Sequence, residues 1–133
     1  MTTRPATHHR LSERVRTAAR IATGLASALI LWATLSPDVS PPGPDFRLAD
    51  KVWHILAFVF WAGLVRLGWQ RPVWAIVAAG ALFGGAIEII QPLTGRTAEM
   101  ADLLVDVAGC ALGAWIAGAV LRWWPGIFNS PRA

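Results

Sequence analysis

The sequence predicts an all-α membrane protein, a bundle of four transmembrane helices with both termini in the cytoplasm. Three observations carry that prediction. Of the 133 residues 55% are hydrophobic, and the mean hydropathy of +0.48 is high for a soluble domain of this size. The apolar residues gather into four runs, each near the roughly 20 residues needed to cross a bilayer. Arginines collect beside alternate ends of those runs, the bias that marks cytoplasmic segments.

Composition narrows the class further. Eight Trp and no Tyr fit a membrane chain, because indole favours the headgroup region, and Trp32, Trp53, Trp69, Trp74, Trp123 and Trp124 fall near ends of apolar runs. A net charge of +4 and an isoelectric point near 11.0 could suggest nucleic acid, but the arginines do not form a basic face interleaved with aromatic platforms. No nucleic-acid partner is expected. Cys110 is the single cysteine, so an intrachain disulfide is impossible, and its apolar run suits a buried packing residue.

Residues 1–17 read as a basic cytoplasmic tail, residues 18–124 as the four-helix domain and residues 125–133 as a short C-terminal tail. Arg4, Arg10, Arg14, Arg16 and Arg20 face only Glu13 in opposition. Leu11 to Arg20 could also form an amphipathic helix at the membrane surface. The pair His8-His9 reads as solvated, since no Cys or carboxylate joins it at ligand spacing. The first span is Ile21 to Leu35, extended by Ala18 and Ala19 and stopped by Ser36-Pro37. It is expected to be retained, because no small-x-small cleavage motif follows it. Pro37, Pro41, Pro42, Gly43 and Pro44 then rule out a helix through all of residues 37–49.

Asp50 is expected to cap the second span, which runs to about Trp69 with Lys51 and His54 on its entrance. Arg66 to Pro72 forms a short basic connection. The third span, Val73 to Ile90, sets Gly80, Gly84, Glu88 and Gln91 on one side, so the face built for close packing ends in an acid and an amide. Pro92 to Met100 is a second outer loop containing Gly95, Arg96 and Glu99. The last span, Ala101 to about Trp123, aligns Asp102, Asp106, Gly109 and Gly113. Asp50, Lys51, His54, Glu88, Gln91, Arg96, Asp102 and Asp106 therefore all fall on the outer side, although the chain reaches it through two separate loops. Ionisable groups in membrane segments suggest function by their expense.

The series Asp50-Lys51-x-x-His54-x-x-Ala57-Phe58, Glu88-x-x-Gln91, Arg96 and Asp102-x-x-x-Asp106-x-x-Gly109-x-x-x-Gly113 resembles the VanZ-like family of small bacterial membrane proteins over about residues 20–122. The resemblance implies a multi-pass protein of the bacterial cytoplasmic membrane with a shared polar site. The family is named for an accessory protein of glycopeptide resistance, teicoplanin resistance in particular. It often has Asn where this chain has Asp106, a change that adds a negative charge to an acidic site.

Four readings of the cluster compete. Binding of an anionic or amphipathic envelope molecule, a lipid-linked wall precursor or a lipoglycopeptide, would use Arg96 and Lys51 on its phosphate or carboxylate. His54, Gln91 and Asp102 would orient its head. An enzyme acting on a lipid-linked substrate would use His54 with Glu88 or Asp102 as base, although no Ser, Cys or Thr nucleophile stands in a recognisable motif. A purely structural network would fix helix register, and a proton or ion path would need ionisable residues in the inner half of a span, where none falls. Binding leads, with catalysis or a ligand-free accessory subunit as alternatives and homo-oligomerisation left open. No metal or cofactor is expected, because one His and carboxylates spread over three segments lack a diagnostic spacing.

Overall fold

The structure is a computed structural model that describes residues 6–39 and 46–124, with side chains from Ser12 and from Leu48 onward in the two stretches. The side chains of His8 and His9 and the expected tail 125–133 lie outside the described residues. Helix α1 spans Ala6–Leu35, α2 Phe46–Trp69, α3 Val73–Ile90 and α4 Met100–Trp123, with a 3-10 turn at Gln91–Thr94 between the last two. There is no strand among the described residues. All four helices contain segments long and apolar enough to cross a membrane.

Two boundaries differ from expectation. Helix α1 continues through the basic stretch assigned to a tail, and its 30 residues give a length of about 45 Å at the usual rise. Helix α2 opens at Phe46, four residues before Asp50. Asp50 is thus inside the helix and does not cap it; residues beyond Pro44 were free to become helical once no proline remained. The expected ends at Leu35, Trp69 and Ile90 coincide with those observed.

The helices alternate in direction, so the α1–α2 and α3–α4 connections share one end of the bundle. Helix α4 is the most enclosed of the four. It approaches α2 through Gly109 and Gly113. A Cβ at Gly109 would stand 2.7 Å from the Ile55 carbonyl oxygen, and one at Gly113 would strike the Val59 carbonyl. Against α3, a Cβ at Gly80 would strike Cys110 Sγ, and one at Gly84 would stand 2.7 Å from Asp106 Oδ2. Both small-residue pairs therefore sit at helix contacts where a side chain has no room.

Phe58, Trp61 and Phe83 fill the space between α2 and α3, their ring centroids 5.5–6.2 Å apart. Buried Trp61 donates its indole N–H to Ser27 Oγ at 2.9 Å, which gives the one polar atom of the ring a partner and ties α2 to α1. At the opposite end from the two connections, Arg20 donates to the Gly68 carbonyl at 3.0 Å and lies 5.6 Å from the Trp69 ring centre. The α2–α3 connection is short, and Gln70 takes a positive φ of 51° there.

Because the Val59 carbonyl is held in the α2 ladder, Gly113→Val should destabilise the bundle by about 3 kcal/mol, the upper end for overpacking. Gly85→Ala, where an added Cβ meets nothing within 4 Å, should leave stability unchanged or slightly raised. Thermal unfolding of both variants in detergent checks the contrast.

Candidate functional site

The end carrying the two connections gathers all eight polar residues singled out in the sequence, but they serve different purposes. Arg96 follows the 3-10 turn and Gly95, whose φ of 83° suits a residue without a side chain. Its Nη1 donates to the carbonyls of Val39 at 2.9 Å, Ser36 at 3.3 Å and Ala33 at 3.5 Å. The guanidinium thus closes the C-terminal end of α1, where carbonyls lack helical partners and the dipole favours a cation. Gln91, buried, donates to the Thr34 carbonyl at 3.2 Å and reinforces the same junction.

Glu88 anchors the start of α4. Its Oε2 accepts the Glu99 backbone N–H at 2.6 Å, a donor that the first turn of a helix cannot satisfy for itself. Lys51 spans the same junction from α2, donating to Asp102 at 2.9 Å and to Glu99 at 3.0 Å. Glu99 was visible in the sequence only as a loop charge. Its position three residues before Asp102 is the signal that places both at one helix start.

His54 and Asp106 form a separate pair deeper in the bundle. Nδ1 of His54 lies 3.0 Å from Asp106 Oδ1; His54 is 6% exposed and Asp106 not at all. The Gly109–Gly113 approach makes this contact geometrically available, since both residues lie on the facing sides of α2 and α4. A neutral His54 facing a carboxylate at Asp106 carries its proton on Nδ1, and its lone pair is then on Nε2. Oδ2 of Asp106, Oε1 of Gln91 and Oε1 of Glu88 are buried acceptors without a hydrogen-bond partner. Such groups are ordinarily met by a donor from water or ligand.

Asp50, one turn before His54, lies 3.8 Å from Arg96 Nη2. One carboxylate oxygen each from Asp50 and Asp102 and a ring nitrogen of His54 fall within 4.8 Å of one another. This grouping differs from the pairing weighed in the sequence, which set Glu88 or Asp102 beside His54. Glu88 is directed to the α4 start instead.

Beside these groups runs a cavity of about 530 Å³ between α1 and α2. Its walls include Leu29, Ile30, Ala33, Trp53, Leu56, Ala57 and Phe58, and its polar end is Asp50, His54 and Arg96. Leu29, Trp53 and Leu56 are more than half exposed on the outer surface of the bundle, so this flank faces the surroundings of the helices. The apolar wall was not legible as a site, because each residue alone reads as lipid-facing or core.

An all-helical bundle with four membrane-length apolar helices and a polar cluster at one end defines a multi-pass membrane protein. A family-wide profile described as VanZ/LLP1 matches residues 8–122, and the chain belongs to that family. No curated protein and no solved structure matches it.

Arg96→Ala should release the end of α1 and cost about 1–3 kcal/mol, because three carbonyl acceptors lose a charged donor. Hydrogen exchange should rise at residues 36–39 and at Arg96 while the Trp61 region stays protected.

Proposed function

We propose that the protein binds an amphipathic molecule of the cell envelope, with its chain in the α1–α2 cavity and its head at Asp50 and His54, on the outer face of the bacterial cytoplasmic membrane. The observation that carries this reading is the cavity itself: an apolar trough, flanked by outward-facing Leu29, Trp53 and Leu56, that ends on ionisable side chains. A small polar solute would gain nothing from those walls, whereas a hydrocarbon chain packs against them without leaving an apolar setting. A lipid-linked wall precursor or a lipoglycopeptide has the required combination of chain and head. The excess of arginine on the N-terminal stretch and near Arg66 and Arg122 supports an outward polar end.

Among the described residues at this end, the cations are not free to hold the head. Lys51 and Arg96 are engaged by carboxylates and carbonyls, so both act first as positioning groups. That moves the expected recognition from an Arg–Lys clamp to the Asp50–His54 end. A second reading, catalysis on the bound head, is favoured by one observation. A buried His54 oriented by Asp106 is the arrangement of a general base whose ring is fixed by a carboxylate.

Ala33→Trp should fill the cavity from its α1 wall. A photoreactive long-chain phospholipid should crosslink to wild type at Leu29, Trp53 or Leu56 and lose most of that labelling in Ala33→Trp. Equal labelling on all lipid-facing surfaces would refute the cavity as a site. In a strain lacking the protein, wild type should raise lipoglycopeptide tolerance and Ala33→Trp at matched membrane levels should not; equal sensitivity would remove the drug as ligand.

A further inference from the structure

We infer that Asp50, His54 and Asp102 hold a divalent cation, and that this ion binds the phosphate or diphosphate head of the amphipathic ligand. The inference rests on the cavity reading above and names the chemistry of its polar end.

Three independent features converge. The first is the donor set: two carboxylate oxygens and an imidazole nitrogen within 4.8 Å of one another, drawn from α2 and α4. Three ligand atoms spread about an ion at about 2.0–2.2 Å stand roughly 3.5–3.8 Å apart, so a set within 4.8 Å closes on the ion by side-chain shifts of up to about 1 Å. The second is the state of His54. Its Nδ1 lies 3.0 Å from Asp106 Oδ1, which leaves Nε2 as the ring nitrogen to face another partner, and the residue is 6% exposed. A carboxylate that fixes the tautomer from behind and leaves the other nitrogen as an electron-pair donor is the usual support of a metal-bound histidine. The third is position: Asp50 and His54 form the polar end of the apolar cavity, so an ion there would face the bound molecule.

Charge argues the same way. Asp50, Glu88, Glu99, Asp102 and Asp106 stand together against Lys51 and Arg96. A phosphate brought directly to this end would meet like charge, and like charges in a low dielectric repel strongly. A divalent cation reverses the sign at the point of contact. Three protein ligands leave coordination positions open for phosphate oxygens and water, as in sites where the metal joins protein to a phosphorylated substrate.

The test uses the full-length protein purified in neutral detergent, with Mn2+ as probe, read by its paramagnetic resonance signal as free ion is depleted. Wild type should bind one Mn2+. Asp50→Asn and Asp102→Asn should each weaken binding by about tenfold or more, since even supporting residues cost 10–100-fold. Glu13→Gln, on the α1 stretch away from the site and paired there with Arg16, should leave Mn2+ affinity within about twofold of wild type. Asp50 contributes little else to the fold, so Asp50→Asn with native helicity separates ligation from unfolding. No Mn2+ binding by wild type, or equal binding by wild type and Asp50→Asn, overturns the metal site.

Farnesyl phosphate, farnesol and inorganic phosphate then distinguish head from chain. Farnesyl phosphate should bind with Mn2+ present and lose at least about tenfold in affinity with chelator, while farnesol should be indifferent to chelator. Inorganic phosphate should bind far more weakly than farnesyl phosphate. Chelator-independent binding of farnesyl phosphate overturns the metal bridge while leaving the cavity reading standing. Mn2+ bound without any farnesyl phosphate binding overturns the phosphate head, and with it the cavity as its site.

Discussion

Everything at the polar end depends on how closely α4 can approach α2. At Gly109 and Gly113 the α2 backbone occupies the space a side chain would need, and this brings the next turns of α4, Asp106 and Asp102, within reach of His54 and Lys51. In a helix pair held apart by leucines these carboxylates would face lipid or void, out of reach of His54 and Lys51. An unpaired acid there would be costly, so the glycines and the acids belong to one design: the small residues permit the contact that makes the acids tolerable.

The polar residues then divide by function. Arg96, Gln91 and Glu88 bind helix ends, the places where backbone groups have no intrahelical partner and no water is at hand within a bilayer. Average polar contacts between membrane helices contribute only about 0.6 kcal/mol, so these three act more by fixing where helices end than by raw stabilisation. With α1, α3 and α4 pinned in this way, the Asp50–His54–Asp102 grouping is held by rigid elements and not by loops. Rigid support is what a binding geometry requires, because looseness of an ångström removes most of its worth.

Much of this was legible in the sequence because hydropathy and helical period report it directly. Four helices and three of their ends followed from apolar run length and proline, and the alignment of Asp102, Asp106, Gly109 and Gly113 followed from spacing. The α2 start was not legible, since the absence of proline after Pro44 permits a helix without demanding one. Pair assignment was not legible either. Spacing says that Glu88 and Asp102 share an end of the bundle, but only helix rotation decides that Glu88 meets a backbone N–H and His54 meets Asp106. The cavity was hidden for a related reason: Leu29, Trp53 and Leu56 carry no chemical signature, and only the separation of α1 from α2 turns them into a wall.

A carboxylate at position 106, where an amide would fill the same space, has a specific physical consequence in this geometry. An Asn side chain can accept the His54 Nδ1–H through its carbonyl, but it brings no charge to balance a cation held nearby. A carboxylate at Asp106 makes the imidazole a stronger electron-pair donor at Nε2. It also keeps the buried end of the cluster negative without adding a direct ligand. Within a site already rich in acid, that extra charge is unfavourable for an anionic head approaching alone and favourable for one approaching a bound cation. The His54–Asp106 pair therefore ties the electrostatics of the bundle interior to the polar end of the cavity.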